Sequence, residues 1–116
     1  MKQHKVPVGG QQITVRLVKD NHKAFGGDAC YGITFKDKNL VYFAKGVAQS
    51  LFEDVYTHEL LGHAAFAVAG IDVMLRDNLK DGVDAHKFEE EMVRKLTLAW
   101  HPFLNHHKFQ FPKIEE

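Results

Sequence analysis

Two imidazoles and a carboxyl group fall within six residues, His58-Glu59-Leu60-Leu61-Gly62-His63, inside an otherwise apolar segment. Ionisable groups in such a segment are costly unless they find partners, and a metal ion would satisfy all three at once. Zinc hydrolases space two histidines four residues apart, one turn along a helix, with the glutamate after the first acting as general base. Here the spacing is five. At roughly 100° per residue, His58 and His63 would point about 140° apart on a regular α-helix, too far to share an ion. Gly62 stands where the second histidine usually falls. One extra residue can be absorbed as a π-bulge, which at about 4.4 residues per turn returns both rings to one face.

Letter for letter, the hexapeptide HELLGH resembles the active-site signature of the dipeptidyl peptidase III family of zinc peptidases, whose chains are several times longer than these 116 residues. The wider layout is a strand region, a helix carrying Thr57-His58-Glu59-Leu60-Leu61 and a second helix rich in glutamate. It is similar to the small single-domain zincin-like proteins of phages and mobile elements. Those usually read HELLH, so this chain looks like that pattern with Gly62 inserted. The resemblance implies a metallopeptidase that cleaves amide bonds of a peptide or protein substrate, with Zn2+ held by His58 and His63 and with Glu59 as base.

A hydrolytic zinc site needs three protein ligands and one open position. The third is expected from Glu89-Glu90-Glu91 on the second helix. Glu89 lies nearest the Phe88/Met92/Leu96 stripe, whereas Glu90 and Glu91 diverge from it by about 100° or more. A carboxylate facing the core should meet a cation, so Glu89 ranks first. The dipeptidyl peptidase III family draws its glutamate ligand from a Glu-Glu pair with an arginine downstream, and Glu89-Glu90 with Arg94 is similar to it. The ligand there is the second glutamate, which makes Glu90 the alternative. A one-residue shift in helix phase would exchange the two. Amide hydrolysis also needs a group to stabilise the oxyanion; Tyr56, His86 and His101 are candidates that the sequence does not place.

The elements that must position these residues can be read from periodicity. Residues 1–11 are polar, end in Gly9-Gly10 and read as a loosely held lead-in. Ile13, Val15 and Leu17 alternate with polar neighbours as in a half-buried strand, and residues 20–28 read as a loop. Tyr31, Ile33 and Phe35 alternate again; Lys36-Asp37-Lys38-Asn39 supplies a turn, and residues 40–44 return as a hairpin. An edge strand there could hold an extended peptide by strand addition. Ser50 and Glu53 match a capping box, so a helix should begin near Ser50 and stop at Gly70. Residues 71–82 are mixed, with a short turn of helix. A second long helix should run from an Asp84 N-cap to near Trp100, packed through Ala85, Phe88, Met92, Leu96 and Ala99, with Pro102 as terminator. Phe103, Phe109, Phe111 and Ile114 would pin the tail. The expected architecture is one α+β zincin-like domain, an antiparallel sheet of about three strands packed on two long helices.

Composition narrows the function classes. Fifteen basic and 15 acidic residues balance and are scattered, which argues against a nucleic-acid or anionic-membrane partner. A single cysteine, Cys30, precludes an internal disulfide and fits a reducing, cytoplasmic setting. No apolar run approaches the ~20 residues of a membrane span, and Met1-Lys2-Gln3-His4-Lys5 leads into no apolar signal region. Two functions fit: a zinc metallopeptidase, or a catalytically inactive zincin-like binding protein such as a phage-encoded modulator of a host protein. Purely structural zinc would leave Glu59 without a role.

Overall fold

The computed structural model describes residues 3–27 and 30–114. Met1 and Lys2 of the lead-in, Asp28 of the loop, Ala29, and Glu115 and Glu116 of the tail lie outside the described residues. Four strands, β1 (Gln3–Val8), β2 (Gln11–Val18), β3 (Gly32–Phe35) and β4 (Leu40–Ala44), form one mixed sheet in the order β1-β2-β4-β3. Three helices follow among the described residues: α1 (Gln49–Ala69), α2 (Ile71–Asn78) and α3 (Ala85–His106). The α+β class holds, with two corrections to the sheet.

The first concerns the amino-terminal segment, which is a strand. Gly9 and Gly10 both take positive φ, 53° and 86°, the conformation that a tight two-residue hairpin requires. They fold β1 antiparallel onto β2, pairing Val6 with Ile13 and Lys5 with Thr14. The burial of β1 alternates only between exposed and half-buried, so an apolar face had little to signal it. The second correction is direction. β4 inserts between β3 and β2, antiparallel to β3 but parallel to β2, with Val15 opposite Val41 and Leu17 opposite Phe43. Its nearly continuous apolar run, Leu40-Val41-Tyr42-Phe43-Ala44, suits a central strand covered on both faces. On one face Val41 and Phe43 enter the core; on the other Tyr42 meets Phe35 and His22 edge to face.

The core lies between this sheet and α1. Ile13, Val15, Val41 and Phe43 pack on Phe52, Tyr56, Leu60 and Ala64, and Phe111 and Ile114 of the tail close the cluster. Phe103 and Phe109, also expected to pin the tail, remain about half exposed. Gln49 clamps the tail instead, donating to the Pro112 carbonyl at 2.8 Å and accepting from the Ile114 N–H at 2.9 Å. The same side chain reaches Glu53, so the expected Ser50 capping box does not form and Ala48 is the N-cap. Beyond α1 the chain bends by 68° into α2.

The N-cap of α3 is Asp84, as expected; its carboxylate accepts from the N–H groups of His86 and Lys87. The helix continues past Pro102 to His106. Its inward face differs from the expected stripe: the fully buried positions are Glu89, Val93 and Thr97, whereas Phe88, Leu96 and Phe103 are exposed. At roughly 100° per residue, Val93 lies about 100° around the helix from the centre of the Phe88/Met92/Leu96 stripe. The carboxyl groups that meet the histidines take precedence over the apolar side chains in orienting α3. Substitution on the two faces should therefore differ in cost. By denaturant unfolding, Leu60→Ala in the core should lose about 2–5 kcal/mol, and Phe103→Ser on the stripe about 0.5 kcal/mol. A large loss at Phe103 would mean that the stripe is covered.

Candidate metal centre

The site is assembled from one distorted helix and one regular helix. In α1 the segment Thr57–Ala64 is π-helical, flanked by α-helical turns Gln49–Tyr56 and Ala65–Ala69. This wider winding accommodates the five-residue spacing: the His58 and His63 rings lie 4.9 Å apart, tilted by 66°. Gly62 allows α3 to come close enough to complete the site. A Cβ at this position would overlap the Cγ1 of fully buried Val93.

His58, Glu59 and His63 each offer a ligand atom, and these atoms lie within 4.8 Å of one another, a group that could hold a metal ion. From α3, the Glu90 carboxylate meets both rings, with Oε1 2.9 Å from His58 Nε2 and Oε2 2.8 Å from His63 Nε2. Glu89 approaches His63 from the opposite side, its Oε2 2.5 Å from Nδ1. Its other oxygen accepts from Lys36 Nζ at 2.6 Å. Glu59 Oε1 accepts from the Thr34 hydroxyl on β3 at 2.7 Å, and Glu59 Oε2 stands 3.8 Å from His58 Nε2.

The electrostatics follow from this packing. Burial pushes the Glu59 carboxyl above its usual range, partly opposed by the Thr34 hydrogen bond and by His63 and His58. Burial also pushes Glu90 upward, but the two imidazoles outweigh it and the net direction is down. His63 has a carboxylate at each ring nitrogen. A neutral imidazole has one N–H, so the second carboxylate needs either a second ring proton or a cation at Nε2. Two imidazoles thus converge on a shared carboxylate, with a further carboxylate behind one ring, an arrangement that could hold a metal ion.

All these groups line one cleft of about 580 Å³, which also takes in Tyr31 just before edge strand β3, Ile33 within it, and His86, Arg94 and Leu98 from α3. Of the three oxyanion candidates, His86 lines it. Tyr56 is buried against Phe43, Phe52 and Phe111, where burial pushes its hydroxyl up to about 12. His101 pairs with Asp54 and packs on Phe111. Thr34, Lys36 and Tyr31 were not expected at the site. Each reaches it through strand pairing and turn closure, and their local sequence carries no chemical signal. Thr34 lies on the opposite face of β3 from the Tyr31/Ile33/Phe35 alternation, so the helix-facing side of that strand is Gly32 and Thr34.

No family model, curated protein or solved structure matches the chain. The likeness to known metal sites therefore rests on the side chains of His58–His63 and their partners. The Gly62–Val93 contact supplies a test of how the two helices are held together. Gly62→Ala should destabilise the fold by about 1–3 kcal/mol in denaturant unfolding. Combining it with Val93→Ala should cost less than the two single losses added. Strict additivity would contradict the close approach.

Proposed function

We propose that this chain is a small metal-dependent hydrolase of the metallopeptidase type, acting on amide bonds, with zinc as its ion. In this proposal His58 Nε2, His63 Nε2 and Glu90 are the ligands, and Glu59 is the base. The observation that carries it is the meeting of both Nε2 atoms on the Glu90 carboxylate, with Glu59 beside them in the same open cleft. Glu89, ranked first from helix phase, is committed to His63 Nδ1 and Lys36, which suits a group that orients a ligand.

A divalent ion at this position would supply Lewis-acid activation of water and of a substrate carbonyl. The chain's own residues do the rest. Thr34 occupies Glu59 Oε1 and so directs Oε2 toward the histidines. Glu59 Oε2 takes the proton of the attacking water and delivers it to the leaving nitrogen. Among the described residues β3 pairs with β4 on one side only, and in this proposal its other edge takes an extended peptide backbone along the cleft. A cytoplasmic setting is part of the proposal, supported by the single free cysteine, Cys30.

One feature favours a second function. Phe88, Leu96, Trp100 and Phe103 on α3 are exposed apolar side chains, as a protein that acts through its surface would present. In that case the centre would bind metal without turnover.

Variants separate the roles. Glu59→Gln should abolish cleavage of a peptide library while zinc stays bound; zinc loss in this variant would remove Glu59 from the base role. Glu90→Ala should lose zinc far more severely than Glu89→Gln, for which about 10–100-fold weaker binding is expected. Equal zinc affinity in the two would return Glu89 to the ligand set. Leu61 is 44% exposed within the π-helical segment. Deleting it restores four-residue spacing and should leave a folded, zinc-binding protein; a folded deletion variant without zinc would disprove this account of the insertion.

A further inference from the structure

Glu59, Glu89 and Glu90 crowd the two histidines, and Glu89 is the most buried of the three, at 3% exposure. Among the described residues, Lys36 is the one lysine or arginine in ion-pair contact with any of these carboxyl groups; Arg94 reaches only Glu91, at 3.7 Å. Lys36 begins the turn Lys36–Lys38 that closes the β3–β4 hairpin. Its ammonium lies 2.6 Å from Glu89 Oε1 and 3.5 Å from Asp72 Oδ2 in the first turn of α2. Three separate elements, the hairpin turn, α2 and α3, thus meet at one nitrogen.

We propose that Lys36 is a positioning residue for the metal centre: the Asp72–Lys36–Glu89–His63 chain fixes the His63 ring so that Nε2 faces the ion. This role rests on the metal-centre proposal above and extends it to how the site is preorganised. A buried carboxylate with one partner could turn about its terminal torsion and release Nδ1. Held by Lys36 at one oxygen, Glu89 presents the other to Nδ1–H in a single orientation. The ring nitrogen left for the ion is then Nε2, the one that faces Glu90. Lys36 also offsets one negative charge in a cluster of three carboxyl groups, so that α3 can bring Glu89 and Glu90 to the histidines together. Asp72, 3.5 Å away, gives the ammonium a second carboxylate neighbour.

The test is zinc affinity of metal-stripped protein, measured by competition with a chromophoric chelator. It would compare wild type, Lys36→Met, Lys36→Arg, Glu89→Gln and the Lys36→Met/Glu89→Gln double variant, with circular dichroism to establish that each is folded. Lys36→Met should bind zinc about 10–100-fold more weakly, and Lys36→Arg should restore most of the loss. In the Glu89→Gln background Lys36→Met should have little further effect, because Lys36 acts through Glu89. Wild-type affinity in Lys36→Met, or losses that simply add in the double variant, would overturn the role of Lys36 alone. Absence of zinc binding by the wild type would overturn the metal-centre proposal and this role with it. Imidazole ¹⁵N spectra of the zinc-loaded wild type provide a check that no variant's folding can obscure. His63 should be protonated at Nδ1 and bound through Nε2; binding through Nδ1 would contradict the proposed chain.

Discussion

Five ionisable side chains packed between two helices set the terms for the rest of this fold. His58, Glu59 and His63 from α1 meet Glu89 and Glu90 from α3, and three of the five are nearly fully buried. Groups of this kind are tolerated inside a protein only when each is paired. The structure supplies the pairs from every side: Thr34 from an edge strand, Lys36 from a hairpin turn, and the carboxylates from α3. The helix distortion, the glycine at the contact with Val93 and the rotation of α3 all follow from bringing these groups together. The apolar core under the sheet, from Ile13 to Ile114, provides the platform that holds α1 in place.

The cost of this arrangement is visible on α3. Turning Glu89 and Glu90 inward leaves Phe88, Leu96 and Phe103 at the surface, the reverse of what burial of apolar area alone would select. A helix whose polar groups face in and whose aromatic groups face out is weakly supported by packing. Its attachment therefore leans on Val93 and on the carboxylate contacts to the histidines. Loss of those contacts should be felt in the position of α3 as well as in the site.

The parts of this site that were legible in the sequence are those written contiguously. HELLGH announced two rings and a carboxyl group, and the five-residue spacing required a wider helical turn, which is present over Thr57–Ala64. The hairpin of β3 and β4, the Asp84 cap and the α+β class were also readable, because turn residues and caps act locally. Helix phase read Glu89 as inward-facing, and it is buried; phase did not show that Glu90 meets both rings, since the apolar stripe used as reference is not the buried face. Thr34 and Lys36 were invisible because their roles come from contacts 25 and 53 residues away. The parallel pairing of β2 with β4 was hidden for a similar reason: a hairpin announces its own turn but not where the sheet receives it.

The central claim, that these residues form a His/His/Glu metal centre, is tested most directly by X-ray absorption at the zinc edge on the loaded protein. The account predicts one zinc coordinated by two imidazole nitrogens at about 2.0–2.1 Å and carboxylate oxygen at about 2.0–2.2 Å, with the imidazole scattering reduced when His63 is replaced by alanine. A protein that retains no zinc after dialysis, or zinc whose spectrum contains no imidazole contribution, would contradict it.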